Sequence, residues 1–286
     1  MTKIISGKLL AKSIKDAIKE EIDSLVNNGK RRPKLSVILV GDDPASKSYV
    51  SGKSKACEEC GIINETILMP QDVSEEELLK KIDELNNDSK VDGILVQLPL
   101  PKHINESRVI EAVEYKKDVD GFHSQNVAKL YSKKECIEPC TPKGIIKLIK
   151  KANVNMDGAN AVVIGRSNIV GQPVAKLLMN ENATVTICHS HTKNMKQITK
   201  HADILVVAIG KAKFVDKSFV KHDACVIDVG VNRDKETGKL CGDCDFDSLN
   251  GYVKVLTKVP GGVGPMTIAS LMENTLTCYK NHENLK

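Results

Sequence analysis

Two kinds of hydrophobic spacing alternate along this chain. Short β-branched runs read as buried strands: L-S-V-I-L-V (35–40), E-T-I-L-M (65–69) and D-G-I-L-V-Q (92–97) in the first half. N-A-V-V-I-G (160–165), A-T-V-T-I-C (183–188), D-I-L-V-V-A (203–208) and A-C-V-I-D-V (224–229) continue the series in the second. Between them lie amphipathic stretches of helical period. S-E-E-E (74–77) makes a capping box for a helix to about Asn86, and C-T-P-K-G-I-I-K-L-I-K-K (140–151) starts another with Pro142 near its first turn. Further helices are expected from about Val170 and about Met266, and the N-terminal stretch reads as an amphipathic opening helix. The alternation predicts an α/β protein with parallel strands and a domain boundary near 140–150, around P-C-T-P. The last helix is expected to pack back on the first domain.

One helix carries a conflict. At 100° per residue, S-K-S-Y-V-S-G-K-S-K-A-C-E-E-C (46–60) gathers Tyr49, Val50, Lys53, Ala56, Cys57 and Cys60 on one stripe. Lys47, Ser51, Ser54, Lys55, Glu58 and Glu59 fall on the other face. Lys53 thus sits inside an apolar stripe, where an ammonium costs free energy unless something there uses it.

Composition narrows the possibilities. Over 286 residues the chain is 41% hydrophobic and 28% charged, an ordinary globular balance. Its net charge of +5 is dispersed and only 3% of residues are aromatic, which argues against nucleic acid and suits small polyanionic ligands. The longest apolar runs, such as I-L-V-V-A-I (204–209), have strand length, so no membrane span is expected. Lysines interrupt the N-terminus too often for a secretory signal, and a cytoplasmic protein is expected. Of nine cysteines, Cys57 and Cys60 belong to the apolar stripe, and C-H-S-H (188–191) reads as a strand end. C-G-D-C (241–244) has no second pair near it in sequence, so no metal and no disulfide framework is expected.

Candidate chemistry lies at strand ends. In I-G-R-S-N-I-V-G-Q-P (164–173) a strand enters a glycine turn and then a helix, where backbone N–H groups and the helix dipole hold a pyrophosphate. The turn is not a clean G-x-G-x-x-G, because Gly171 comes one place late. The next strand ends in C-H-S-H-T (188–192), without the carboxylate that reads an NAD ribose. With Arg166 nearby, this favours a 2′-phosphate and hence NADP. Gln97 in Q-L-P-L-P (97–101) stands where open sheets present ligand-binding groups. K-D-V-D-G-F (117–122) offers Asp118 and Asp120, which spacing alone does not separate. V-P-G-G-V-G-P-M-T (259–267) is a glycine-rich turn before a helix.

Taken in order, Y-V-S-G-K (49–53), V-Q-L-P-L-P (96–101), K-D-V-D-G (117–121), P-C-T-P-K-G (139–144), V-I-G-R-S-N-I-V-G-Q-P (163–173), D-V-G-V-N (228–232) and P-G-G-V-G-P-M-T (260–267) form a recognisable set. It closely resembles the bifunctional methylenetetrahydrofolate dehydrogenase/cyclohydrolases, from about Leu35 to the last helix. Val231, where the family more often has Ile, and His191 are small departures.

The resemblance implies a three-layer α/β folate-binding and catalytic domain over 1–140, with the helix of about 266–286 packing back on it. A Rossmann-type NADP-binding domain would cover 141–265, with a cleft between the two domains and a homodimer as the assembly. It implies NADP-dependent oxidation of methylenetetrahydrofolate and hydrolysis of the methenyl product to formyltetrahydrofolate, on substrates that are polyglutamylated or not. In that pattern Lys53 is the catalytic lysine, Tyr49 stacks on the folate, Gln97 supports Lys53 and Asp120 holds the pterin. Val96, Leu98, Pro260, Gly261, Gly262, Pro265, Thr267 and Ile268 would line the folate, and Gly165, Arg166, Ser167, Ser190 and Val231 the cofactor.

Three rivals stand beside this reading. Y-x-x-x-K is also the catalytic pair of short-chain reductases, but there the nucleotide turn precedes the pair, whereas here it follows by more than a hundred residues. A non-catalytic nucleotide or folate sensor would not need Tyr49, Lys53, Gln97 and Asp120 together. A dehydrogenase without the hydrolase activity stays open.

Overall fold

Strand order and side-chain alternation place the candidate residues. The computed structural model describes residues 1–285. In chain order the first elements are β1 (Lys3–Ile5), α1 (Gly7–Asn27), β2 (Lys34–Val40), α2 (Pro44–Cys60), β3 (Ile63–Met69), α3 (Glu75–Asn87) and β4 (Gly93–Val96). Next come α4 (Glu106–Ala112), α5 (Ser124–Tyr131), α6 (Cys140–Lys151), β5 (Asn160–Ile164), α7 (Gly171–Asn180), β6 (Thr184–Cys188), α8 (Met195–Thr199) and β7 (Ile204–Val207). The rest are β8 (Cys225–Asp228), β9 (Asn232–Arg233), β10 (Leu240–Cys241), α9 (Phe246–Leu249), β11 (Val255–Thr257) and α10 (Val263–His282).

The chain divides into two compact units, one of residues 12–140 with 268–286 and one of residues 1–11 with 141–267. The opening residues differ from expectation. Lys3–Ile5 is a strand, paired parallel with Val255–Thr257, and the helix starts only at Gly7. Residues 1–11 therefore join the second unit instead of opening the first, because their backbone hydrogen bonds are made there.

The first unit has a parallel sheet in the order β3-β2-β4. Successive residues of β2 point to opposite faces. Leu35, Val37 and Leu39 join a core with α1, α2 and α10, whereas Ile38 and Val40 join one with α3, α4 and the β4 residues Ile94 and Val96. Helices cover both faces, which is why β2 reads as a near-continuous apolar run. The expected capping box is present: Ser74 and Glu77 cap α3 reciprocally.

A buried acid ties this unit together. Asp92 accepts hydrogen bonds from Arg31 Nη1 and Nη2, each at 2.7 Å, and from the Lys34 N–H at 2.8 Å, and its Oδ1 lies 2.8 Å from His282 Nδ1. Asp92→Ala strands those donors, and we expect a loss of about 2–3 kcal/mol, moderated because Arg31 is partly solvated. A lower urea midpoint with an unchanged slope is the measurement that checks it.

The second unit has a six-stranded parallel sheet, ordered β1-β11-β8-β7-β5-β6. From β5 the chain crosses to β6 on one side, then returns to β7 and β8 on the other. That reversal makes it a doubly wound nucleotide-binding type of sheet, with its switch point at the carboxyl end of β5. Val162, Ile164, Leu205, Val207, Val226 and Leu256 form one core face, and α7 packs on β5 and β6. None of the described helices is long and apolar enough to cross a membrane.

Candidate active site

The small sheet has its own switch point, because β3 and β4 flank the central β2. Lys53 and Gln97 meet there. Asp43 caps α2 by accepting the Ser46 N–H at 2.8 Å, and Gly61 ends the helix in the left-handed region. Val50, Ala56, Cys57 and Cys60 fill the core as expected from the stripe. Burial pushes both thiols up to about 12, so they are packing groups without thiolate character. Tyr49 departs from the stripe. It is 53% exposed, because the core that covers this helix takes Val50 and the residues of its last turns.

Lys53, half-buried, donates from Nζ to Gln97 Oε1 at 2.9 Å. Gln97 is held in turn. Its N–H donates to the Ile38 carbonyl at 2.9 Å, and its Nε2 donates to the Leu98 carbonyl at 2.6 Å. Flipping the amide would set two oxygens against each other at that contact, so Oε1 is fixed toward the amine. The strand-end glutamine thus resolves the conflict of an inward lysine without adding a charge.

The two candidate aspartates separate in the fold. The chain at Lys117–Asp118 lies beside β4, with the Ile94 N–H donating to the Lys117 carbonyl at 2.8 Å. Asp118 is buried and accepts the Gly121 N–H at 3.0 Å, the His123 N–H at 2.9 Å and Asn126 Nδ2 at 2.9 Å. It anchors its own turn. The Asp120 carboxylate makes no hydrogen bond within the described residues, and with Val96, Leu98, Ile94, Val109 and Phe122 it lines a mostly apolar pocket. Burial pushes the Asp120 carboxyl up to about 6; Asp118 adds to the rise and the Lys53 ammonium opposes it. A carboxylate with free acceptor oxygens near an amine is equipped to take paired N–H donors from a ligand.

The second unit presents its candidates at the carboxyl ends of its strands. A Cβ on Gly165, whose φ is +128°, would lie 2.3 Å from the Ala208 carbonyl oxygen, and one on Gly171 would lie 2.3 Å from the Gly165 oxygen. Gly171, late in the motif, therefore performs the close helix–strand packing of the third fingerprint glycine. Ser167 Oγ accepts the Val170 and Gly171 N–H groups, each at 3.3 Å. Arg166 is exposed beside the end of β6. Its charge, after desolvation, helps hold His189 below the usual imidazole range, with His191 acting in the same direction. Ser190 is exposed between those histidines, and Val231 is 49% exposed on the loop after β8. A glycine turn opening α7 and a carboxylate-free cluster of cation, imidazoles and hydroxyls fit a dinucleotide with a 2′-phosphate.

The Pro260–Thr267 segment also belongs to this unit. Its backbone closes on the start of α1: the Lys8 N–H donates to the Gly261 carbonyl at 3.1 Å. Pro265 lies in the first turn of α10, and the Thr141 and Thr267 hydroxyls are 2.9 Å apart. Ile268, in contrast, packs in the first unit.

The structure thus brings Lys53, Gln97 and Asp120 together with Val96 and Leu98. Gly165, Arg166, Ser167 and Ser190 gather at a second place. Sequence reading passed over Asp243, wholly buried and central to the loops after β7 and β8. The only hint was an acid between two apolar cysteines, which packing alone would not select.

Fold and site together define an α/β protein in which one unit carries a hydrogen-bonded lysine–glutamine pair whose charge is felt by a nearby aspartate, and the other a dinucleotide-type turn. Residues 5–120 match the model of the tetrahydrofolate dehydrogenase/cyclohydrolase catalytic domain, and residues 139–283 match that of its NAD(P)-binding domain. The bifunctional protein FolD of Listeria innocua is 56% identical over 98% of both chains. A solved structure, the bifunctional dehydrogenase/cyclohydrolase of Campylobacter jejuni, is 46% identical with a TM-score of 0.96, covering 98% of this chain and 99% of that one. The Trypanosoma brucei methylenetetrahydrofolate dehydrogenase-cyclohydrolase, solved with NADP cofactor and inhibitor, is 37% identical with a TM-score of 0.94 over 98% of each chain. The chain belongs to the tetrahydrofolate dehydrogenase/cyclohydrolase family. It is an enzyme with a catalytic and an NAD(P)-binding domain.

Proposed function

We propose that the chain oxidises 5,10-methylenetetrahydrofolate to the 5,10-methenyl cation with NADP and hydrolyses that cation to 10-formyltetrahydrofolate. The 2.9 Å contact of Lys53 Nζ with Gln97 Oε1, at a sheet switch point beside Asp120, carries this reading. When bound, NADP accepts the hydride lost by the methylene carbon. That step leaves charge delocalised over two nitrogens and needs positioning more than an acid or base. Tyr49, exposed one turn before Lys53, offers its ring to the folate, and Asp120 accepts the pterin N–H donors. In the hydrolysis, water adds to the methenyl carbon and a C–N bond then breaks. Lys53 moves protons at Nζ during both events, with Gln97 fixing the amine.

In this reading the catalytic domain covers 1–140, apart from residues 1–11, together with the last helix. The cofactor domain covers 141–265. Pro260, Gly261, Gly262, Pro265 and Thr267 border the folate, whereas Gly165, Arg166, Ser167, Ser190 and Val231 border NADP. The enzyme is cytoplasmic and acts on mono- or polyglutamylated tetrahydrofolates as a homodimer. Support for the dimer comes from the open edge strand β6, with Ile187 38% and the neighbouring Met179 52% exposed.

A spectrophotometric assay of methylenetetrahydrofolate with NADP or NAD, followed through the methenyl intermediate, tests reaction, cofactor and bifunctionality together. A chain that forms the methenyl product but hydrolyses it no faster than buffer would be a dehydrogenase alone. Arg166→Ala is expected to raise KM for NADP roughly 10- to 100-fold, the loss of a charge-assisted contact, while NAD changes little. Equal weakening of both cofactors would remove Arg166 from the 2′-phosphate.

A further inference from the structure

The C-G-D-C stretch has a use that neither metal nor thiol chemistry supplies. Asp243 is wholly buried, and its carboxylate accepts three consecutive backbone N–H groups: Ile209 at 2.7 Å, Gly210 at 3.0 Å and Lys211 at 2.7 Å. It also accepts Asn232 Nδ2 at 2.9 Å. Its own backbone is fixed as well, since its N–H donates to Asp228 Oδ1 at 2.9 Å and its carbonyl accepts the Val215 N–H at 3.0 Å. Successive N–H groups that converge on one point form a nest of the kind that receives anions. Here an internal carboxylate fills that nest, so its partners are loop geometry and not ligand.

The two loops it joins are those of the cofactor face. Residues 209–211 follow β7, and the preceding Ala208 carbonyl is the group against which Gly165 is packed. Asn232 follows Val231, the exposed residue after β8. Gly210, at φ +64°, has nothing within 4 Å of where a Cβ would be, so the clamped loop turns an open face outward.

We propose that Asp243 is a positioning residue for NADP: by clamping the loops after β7 and β8 to each other it sets the shape of the surface on which the dinucleotide lies, without touching it. The proposal rests on the NADP reading above. Because the clamp shapes backbone common to both dinucleotides, it governs NAD as well as NADP, unlike Arg166.

The test is Asp243→Asn, which keeps the volume but turns one acceptor into a donor facing N–H groups. Calorimetric titration of the enzyme with NADP, without folate, is expected to give a Kd raised at least tenfold, and one with NAD a similar factor. KM for NADP should follow while kcat at saturating NADP stays within about threefold. Hydrolysis of methenyltetrahydrofolate, assayed without NADP, should be unchanged. Asn232→Ala removes one arm of the clamp and is expected to raise the NADP Kd by a few-fold. An unchanged NADP Kd in folded Asp243→Asn overturns the proposal, as does loss of hydrolase activity in parallel with NADP binding. If Asp243→Asn does not fold, Asn232→Ala decides: an unaltered NADP Kd there overturns it equally. Failure of the underlying reading looks different, because the unaltered enzyme would then not bind NADP.

Discussion

Lys53→Met is expected to lower the hydrolysis of methenyltetrahydrofolate by at least about 100-fold, the scale of a lost general acid–base group, with NADP affinity unchanged. Methionine keeps most of the length and the apolar stem of lysine, and α2 is already committed through Val50, Ala56, Cys57 and Cys60 to the core behind it. The fold therefore has little reason to respond. What disappears is the one donor to Gln97 Oε1 among the described residues. The amide stays anchored through Nε2 to the Leu98 carbonyl, so it cannot turn to compensate and its free oxygen faces the substrate. Lys53→Arg should not restore the reaction, because a planar fork neither fits a single amide oxygen at that distance nor gives up its proton. Hydrolysis that proceeds undiminished in Lys53→Met would take this lysine out of the chemistry. The contrast with Arg166→Ala is diagnostic, since that change acts on the dinucleotide alone.

How far this site could be read from the sequence depends on where each signal resides. Strands buried on both faces, such as β2, β5 and β7, are near-continuous apolar runs and stand out. The capping box of α3 is equally local. Lys53 was legible as a contradiction, a charge inside an apolar stripe, and Gln97 as a polar residue at a strand end. β1 was not legible. Three residues, K-I-I, have no period, and the strand exists only because β11 lies alongside it. The choice between Asp118 and Asp120 was hidden for a related reason: both precede a turn glycine, and only the fold shows that backbone N–H groups consume the first. Asp243 was least visible, because its partners come from two other loops. Tyr49 obeys the helical period but not the burial it implies, since periodicity fixes direction and not the extent of the neighbouring core.

Asp120→Asn is expected to weaken tetrahydrofolate binding by roughly 10- to 100-fold, the loss of a charge-assisted pair of hydrogen bonds, and to abolish the acid limb of the pH profile. With the carboxyl pushed up to about 6, the unaltered enzyme should lose kcat/KM for the methenyl substrate as pH falls through about 6. Protonation replaces an acceptor by a donor facing the pterin N–H groups. The groups that set this value are the surrounding apolar wall and Asp118, which raise it, and Lys53, which lowers it. The effect on stability has the opposite sense. The native state holds this proton more tightly than the unfolded chain, whose ordinary value is 3.8, so the stabilising contribution is complete below about 4 and is lost as pH rises through about 6. Above that, the native enzyme carries an ionised carboxylate with no hydrogen-bond partner of its own. Asp120→Asn should therefore have a higher Tm than the unaltered enzyme at pH 7.5, and the gain should vanish near pH 4. A gain of equal size at both values, or an acid limb that survives the substitution, would mean that the carboxylate facing the pocket is not the group that receives the folate.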